Sequence, residues 1–229
     1  MLLSLIVGSL VVAVVAVAVR DESAGLDARR IGSLAPLLAA QRADQIETAV
    51  AVPDRQQLST LRLRTAWAAA VSSVGPFQSV THIATVDDGR DRIELEQLRF
   101  ARGMGTLTAR RAPQGITAMW LTTGTVSDPV AARNAAVYSL DLVTDQLGPV
   151  SAAFDTPMSA ALPESKFRSD TVRATTGLEA PAHVAAQVIS RAAGSTVVST
   201  YLVFPNGLRR VVIAFDDTQR IAGLLIFPI

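Results

Sequence analysis

The chain has no cysteine among its 229 residues. Disulfide scaffolds, thiolate metal sites, cysteine nucleophiles and lipidated cysteine anchors are excluded together, and the redox compartment stays open. Lysine is almost missing as well: of the 21 basic side chains only Lys166 is a lysine, which reads as the coding bias of a GC-rich bacterial genome. No charge of one sign dominates. The 21 basic and 20 acidic groups leave a net charge of +1, which gives no general pull toward nucleic acid or acidic partners. With 49% hydrophobic and only 18% charged residues, the chain is too apolar to remain disordered.

Several catalytic signatures are missing too. There is no His-Glu-x-x-His helix, no phosphate loop ending in glycine-lysine and no glycine-flanked serine elbow. Position 163, three before Lys166, is a proline, so the serine-x-x-lysine of penicillin-binding active sites is absent. No catalytic residue, metal site or cofactor is assigned on this basis.

What the chain does have is an apolar leader. Residues 2–19, opened by Leu2 and closed by Val19, carry no charge until Arg20, Asp21 and Glu22. At ~1.5 Å per residue the run reaches roughly 27 Å, close to the thickness of a hydrocarbon core. We read it as a single membrane-spanning helix, with 1–25 as an anchor segment. Ala16-Val17-Ala18 also has the form a signal peptidase accepts, so the alternative outcome is a cleaved leader and a secreted product. No basic residue precedes the run while Arg20, Arg29 and Arg30 follow it, against the positive-inside rule. Either a basic leader lies upstream of Met1, or the acidic neighbours Asp21, Glu22 and Asp27 accompany an atypical flank. A single leading apolar segment before one long polar body still points to a bacterial cytoplasmic membrane, with the body outside the cytoplasm.

Beyond the leader the chain repeats. A shift of 104 or 105 positions places Pro53 on Pro157, Leu58 on Leu162, Leu63 on Phe167, Gly103 on Gly207, Gln114 on Gln219 and Ile116 on Ile221. We therefore expect tandem units at 28–124 and 132–229. Each reads as helices followed by a meander of strands. In the second unit Ser127-Asp128-Pro129 offers an N-cap and first-turn proline for a helix over 130–147, stopped by Gly148-Pro149. Another helix is expected to start at Asp155-Thr156-Pro157, and a further turn to open at Pro163 and run to Gly177. The first unit echoes this over 31–52, broken near Pro36, and 53–74, where Leu63, Trp67, Ala70, Val71 and Val74 form one stripe.

The period then changes to two. Strands are expected at 80–86, 92–100, 105–110 and 116–122, and again at 184–191, 196–204, 208–215 and 220–227. Asp87-Asp88-Gly89, Pro113-Gln114-Gly115, Ala193-Gly194, Pro205-Asn206-Gly207 and Asp216-Asp217 supply the turns. Helices on one side of a curved antiparallel sheet give an α+β unit of roughly 100 residues, a viable domain size.

The string Pro157-Met158-Ser159-Ala160-Ala161-Leu162-Pro163, then a helix, a hairpin sheet and a closing Phe215-Asp216-Asp217 with Gln219-Arg220-Ile221-Ala222-Gly223-Leu224, resembles the bacterial domains of unknown function in the nuclear transport factor 2-like superfamily. The similarity is best over 132–229. Residues 28–124 look like a divergent copy, with Trp67 and Gly75-Pro76-Phe77 as its matching features. The resemblance implies cone-shaped α+β domains, often outside the cytoplasm, whose sheets frequently pair; the two copies would then form an intramolecular pseudo-dimer. Some members of the superfamily are isomerases or hydrolases using a carboxylate or tyrosine deep in the cone, and Asp141, Asp145, Tyr138 and Tyr201 are the groups placed to serve so here.

The ionisable residues themselves read blandly. His82 and His183 do not coincide after the shift and have no ligand at suitable spacing. Glu94 and Glu96 alternate with Ile93 and Leu95 and read as a wet strand face, and the paired aspartates read as turn chemistry. The arginine pairs Arg62/Arg64, Arg110/Arg111 and Arg209/Arg210 read as solvated faces, with no nucleic-acid partner. The aromatic residues are assigned to the helix-to-sheet interior, and Trp67, Phe100, Trp120, Tyr138, Phe154, Tyr201 and Phe215 are the candidates to line a ligand pocket. The expected function is a non-enzymatic, membrane-tethered, extracytoplasmic module that binds a cell-envelope protein or a small apolar ligand. The alternative is a small-molecule isomerase or hydrolase using a buried carboxylate or tyrosine.

Overall fold

A computed structural model describes residues 33–229. The apolar run 2–19 lies outside the described residues. Among those described, no helix is long and apolar enough to cross a membrane.

The element order runs twice through the same plan. The first half comprises α1 (Ala35–Ala39), α2 (Ala43–Thr48), a 3-10 turn (Val52–Asp54), α3 (Thr60–Val74) and strands β1 (Phe77–Asp87), β2 (Arg92–Phe100), β3 (Gly103–Ala112) and β4 (Gly115–Gly124). The second comprises α4 (Pro129–Val143), α5 (Leu147–Ala152), α6 (Thr156–Ala161), α7 (Glu164–Thr175), β5 (His183–Ala192), β6 (Ser195–Phe204), β7 (Gly207–Phe215) and β8 (Ile221–Pro228). Each half makes one antiparallel four-stranded meander, in the orders β1-β2-β3-β4 and β5-β6-β7-β8. The molecule is thus α+β, with helices and a four-stranded antiparallel sheet in each half.

A small hydrogen-bond motif marks the equivalence. Ile116 N–H donates to Ala49 O and Ala51 N–H to Ile116 O, at 2.8 and 3.0 Å. In the second half Ile221 N–H donates to Ala153 O and Asp155 N–H to Ile221 O, at 2.8 and 2.9 Å. Short parallel bridges, Val50 to Ile116 and Phe154 to Ile221, thereby tie each helical layer to the last strand of its sheet. An arginine caps the motif in both halves, from different places in the sequence. Arg55 Nε reaches the Val50 carbonyl and Arg220 Nε the Phe154 carbonyl.

Caps fall where the residues demand them. Asp128 accepts from Ala131 N–H at 2.9 Å and Asp155 from Met158 N–H at 2.7 Å, each with a proline in the first turn. Gly148-Pro149 does not end a helix as expected; it lies in the opening turn of α5, where the missing proline N–H has no helical acceptor to lose. The helix expected over 53–74 is also divided, since Val52–Asp54 closes as a 3-10 turn and Ser59 restarts the chain as α3. The stripe Leu63, Trp67, Ala70 and Val74 is buried, and Trp67 packs against Phe77 and Phe100 with ring centroids 5.6 and 5.8 Å apart.

Each sheet is covered on both faces. On β2, Leu98 and Phe100 belong to the core beneath the helices, whereas Ile93 and Leu95 belong to a separate core shared with Ala186, Tyr201, Val203 and Leu208 of the second sheet. The two sheets therefore meet back to back, each with its helices outside. At the seam, Tyr201 is fully buried: its hydroxyl accepts from Thr106 Oγ1 at 2.7 Å and donates to Thr122 Oγ1 at 2.9 Å. Arg210 donates to the same Thr122 hydroxyl at 3.1 Å, and Arg110 donates to the Ile229 carbonyl at 2.7 Å. Contact is closest at Gly124, where any Cβ would collide with the carbonyl oxygen of Ile189 from the other half.

Back-to-back packing corrects the expected facing of two aromatic residues. Trp120 and Tyr201 do not point into the helix-to-sheet interiors. Their strand neighbours Met119 and Leu121, and Leu202 and Phe204, take those positions, so alternation sends Trp120 and Tyr201 to the inter-sheet core. Burial alone does not distinguish these faces.

Candidate functional site

The same alternation decides where the charges go. Because Leu98 and Phe100 face the helices, Glu94 and Glu96 face them too, and the expectation that they look into water is wrong. Glu96 is 7% exposed. Strand pairing sets His82 of β1 directly opposite Glu96, and Thr85 opposite Glu94. From β3, Arg111, itself only 5% exposed, donates through Nε to Glu94 Oε2 at 2.8 Å. Arg92 approaches the other oxygen of Glu94 at 3.3 Å. At the edge of the sheet His82 and Thr85 are exposed, with Thr85 Oγ1 3.1 Å from His82 Nε2.

Glu96 is the odd member of this group. Its Oε2 meets no hydrogen-bond partner among the described residues, and neither does the buried hydroxyl of Ser33, which lies near enough to influence it but outside hydrogen-bonding geometry. Burial pushes the Glu96 carboxyl above its ordinary range; Glu94 adds to the rise, while Ser33, His82 and Arg111 oppose it. Asp54, in the 3-10 turn, is a second buried carboxyl in this half. It is 3% exposed, its Oδ1 is unpartnered, and burial raises it too.

The second half has the same framework without these charges. Val198, Thr200 and Phe215 stand where the repeat places Glu94, Glu96 and Arg111, and Met158 stands for Asp54. Gln187 takes the place of His82, paired opposite Thr200. Its Nε2 donates to Thr200 Oγ1 at 3.1 Å and to the Ala132 carbonyl of α4 at 2.9 Å. Ala131, Ala135, Ser139 and Leu142 give α4 a buried face of mostly small residues, and the interior beneath it is filled by Val198, Leu202, Val211, Ile213 and Phe215.

Of the other pocket candidates, Trp67 and Phe100 are buried in the first helix-to-sheet core, and Phe154 packs on Phe167 with ring centroids 5.1 Å apart in the second. Tyr138 is half-buried, 6.4 Å from the fully buried Phe215. Phe100 borders a shallow cleft of about 340 Å³ with Arg99 and Met104. A second cleft, of about 310 Å³, runs along the junction of the halves between Met104, Gly124, Gln187 and Ile189, and its lining holds no ionisable side chain.

The remaining groups singled out from the sequence have structural duties. Asp87 and Asp88 accept backbone N–H bonds from Gly89, Arg90 and Asp91, and Asp216 accepts from Thr218 and Arg220, which holds its carboxyl below the usual range. Asp145 meets Arg168 at the surface. His183 starts β5 and is exposed. Among the described residues no group of three or more His, Asp or Glu is arranged to hold a metal ion.

Comparison of the chain with family models, with curated proteins and with solved structures gives no match. The fold and the site by themselves define an α+β chain with two four-stranded antiparallel sheets. Among the described residues, its first half places a buried glutamate, one of whose oxygens meets no hydrogen-bond partner, on the helix-facing side of the sheet.

Proposed function

We propose that the chain is a membrane-tethered, extracytoplasmic binding module of the nuclear transport factor 2-like kind, built from two cone-like halves of which the first receives a ligand and the second is scaffold. One observation carries this: Glu94, Glu96, His82 and Arg111 occupy the positions that Val198, Thr200, Gln187 and Phe215 fill in the second half. A buried carboxylate with an oxygen that meets no donor costs stability, so a fold whose other half places a satisfied Thr200 at that position has reason to keep it only where something binds. The apolar run 2–19 supplies the tether. Protease accessibility in intact cells, with mass measurement of the mature N-terminus, tests location. The proposal expects an uncleaved leader retained in the membrane fraction and a body open to external protease; a soluble product beginning near Val19 rejects the tether.

A second reading, a small-molecule isomerase or hydrolase, is favoured by one feature: a buried carboxyl with raised pKa lies across from an exposed histidine, an acid–base pair with access to water. Tyr201 is an unsuitable proton donor for that chemistry, because its hydroxyl is engaged between the sheets. Turnover that survives Glu96→Gln rejects this version.

A further inference from the structure

The charge and the apolar neighbours around Glu96 narrow what the first half would bind. We infer that this interior takes a small organic monocation, an ammonium head on a short apolar body, with the head on Glu96. The inference rests on the binding-module reading above. The two carboxylates differ: Glu94 is paired with Arg111 at 2.8 Å and with Arg92 at 3.3 Å, whereas no ion pair of 4 Å or less joins Arg92 or Arg111 to Glu96. Glu96 is more than nine-tenths buried with an oxygen that meets no donor among the described residues. A buried carboxylate is stable only when paired, and the group that completes it is a cation with N–H donors.

An anion would be set against the Glu96 carboxylate, which has no such ion pair. A neutral acceptor would require Glu96 to hold its proton permanently. The side chains beside Glu96 on this face are apolar and suit an apolar body behind the head: Leu107 faces Glu96 from β3, Leu98 follows it along β2, and Val80 lies opposite Leu98 on β1. Entry is along the β1 edge, where His82 and Thr85 are exposed on the same face as Glu96. The second half takes no such ligand, because Gln187 already satisfies Thr200 and the Ala132 carbonyl closes that position.

The test titrates the full chain, in neutral detergent, with n-butylammonium, n-butanol and n-butyrate, following backbone amide shifts and affinity. The inference expects saturable shifts from n-butylammonium at His82, Thr85 and Glu96 and none at Gln187 and Thr200. Affinity should fall at least about tenfold in Glu96→Gln. Glu96→Thr, which installs the residue of the second half, should give the same loss and guards against a folding defect peculiar to glutamine. Equal or tighter binding of n-butanol or n-butyrate at these residues overturns the cation assignment and leaves the binding-module reading standing. Absence of saturable shifts in the first half with all three probes overturns the inference and removes the interior site from that reading as well.

Discussion

The two halves of this chain place the same strands, the same helix-to-strand bridges and the same turn positions around interiors of opposite character. In the second half the space between helices and sheet is mostly apolar: Gln187 with Thr200 is satisfied by the helix above it, Arg209 donates to the Ala174 carbonyl of α7, and no carboxylate is buried there among the described residues. In the first half the corresponding positions hold an ion pair, a histidine and a carboxyl one of whose oxygens meets no hydrogen-bond partner among the described residues. The meander tolerates both because its stability does not depend on that one face. Each sheet also buries its other face against its twin, where Tyr201, Thr106, Thr122 and Arg210 form a connected network. A shared seam allows one interior to depart from ideal packing while the fold persists.

The sharpest way to break this contrast is to move the charge into the wrong half. Phe215→Arg puts an unpaired cation into the filled interior and is expected to destabilise by on the order of 3–5 kcal/mol, visible as a large shift in the urea midpoint. A change under about 1 kcal/mol would mean that the second interior is not packed as described. The seam comes next in size. Tyr201→Phe removes the hydroxyl linking Thr106 and Thr122 and leaves the buried Thr106 hydroxyl without this acceptor, at a cost of about 1–3 kcal/mol. Unfolding should also become less cooperative between the halves; an unchanged transition would show that the seam is dispensable.

Glu96→Gln has the opposite sign. The folded-state pKa of Glu96 lies above its unfolded value, so the stability associated with its bound proton is complete below the unfolded value of 4.5 and is lost as pH rises through the folded value. Glutamine removes that dependence. The variant should therefore gain on the parent as pH rises above 4.5, in parallel urea titrations. A parent that holds its advantage at pH 8 would mean Glu96 is paired. The smallest effect is expected at Arg168→Ala, which breaks only the exposed pair with Asp145 and should move the midpoint by less than about 0.5 kcal/mol.

Much of the architecture was legible in the sequence because turns and caps are local. Asp128-Pro129 and Asp155-Thr156-Pro157 start helices where they stand, and the gaps at Asp88-Gly89, Ala193-Gly194 and Asn206-Gly207 separate strands within a few residues of the expected ends. The candidate site was not legible, for a reason of geometry. Ile93-Glu94-Leu95-Glu96 alternates like a strand with one face in water, but here neither face is wet, and the glutamates lie under helices. His82 and Glu96 meet only through strand pairing, which no spacing rule reveals. One signal was available: the repeat aligns Glu94 and Glu96 with Val198 and Thr200, in a strand apolar on both faces, so the glutamates stand at positions built to be covered. Trp120 and Tyr201 show the complementary effect: a strand aromatic faces the helices or the other sheet according to its parity, which its residue type does not reveal.

The account turns on the state of one carboxyl, and side-chain carbon NMR across a pH titration reads it directly. Glu96 should titrate above the 4.5 of an unburied glutamate, while Glu47, which accepts from the Thr60 amide and hydroxyl, titrates below it in the same spectra. A Glu96 midpoint at or below 4.5 would mean a solvated or paired side chain, and the charged, partly unpaired interior of the first half would not exist.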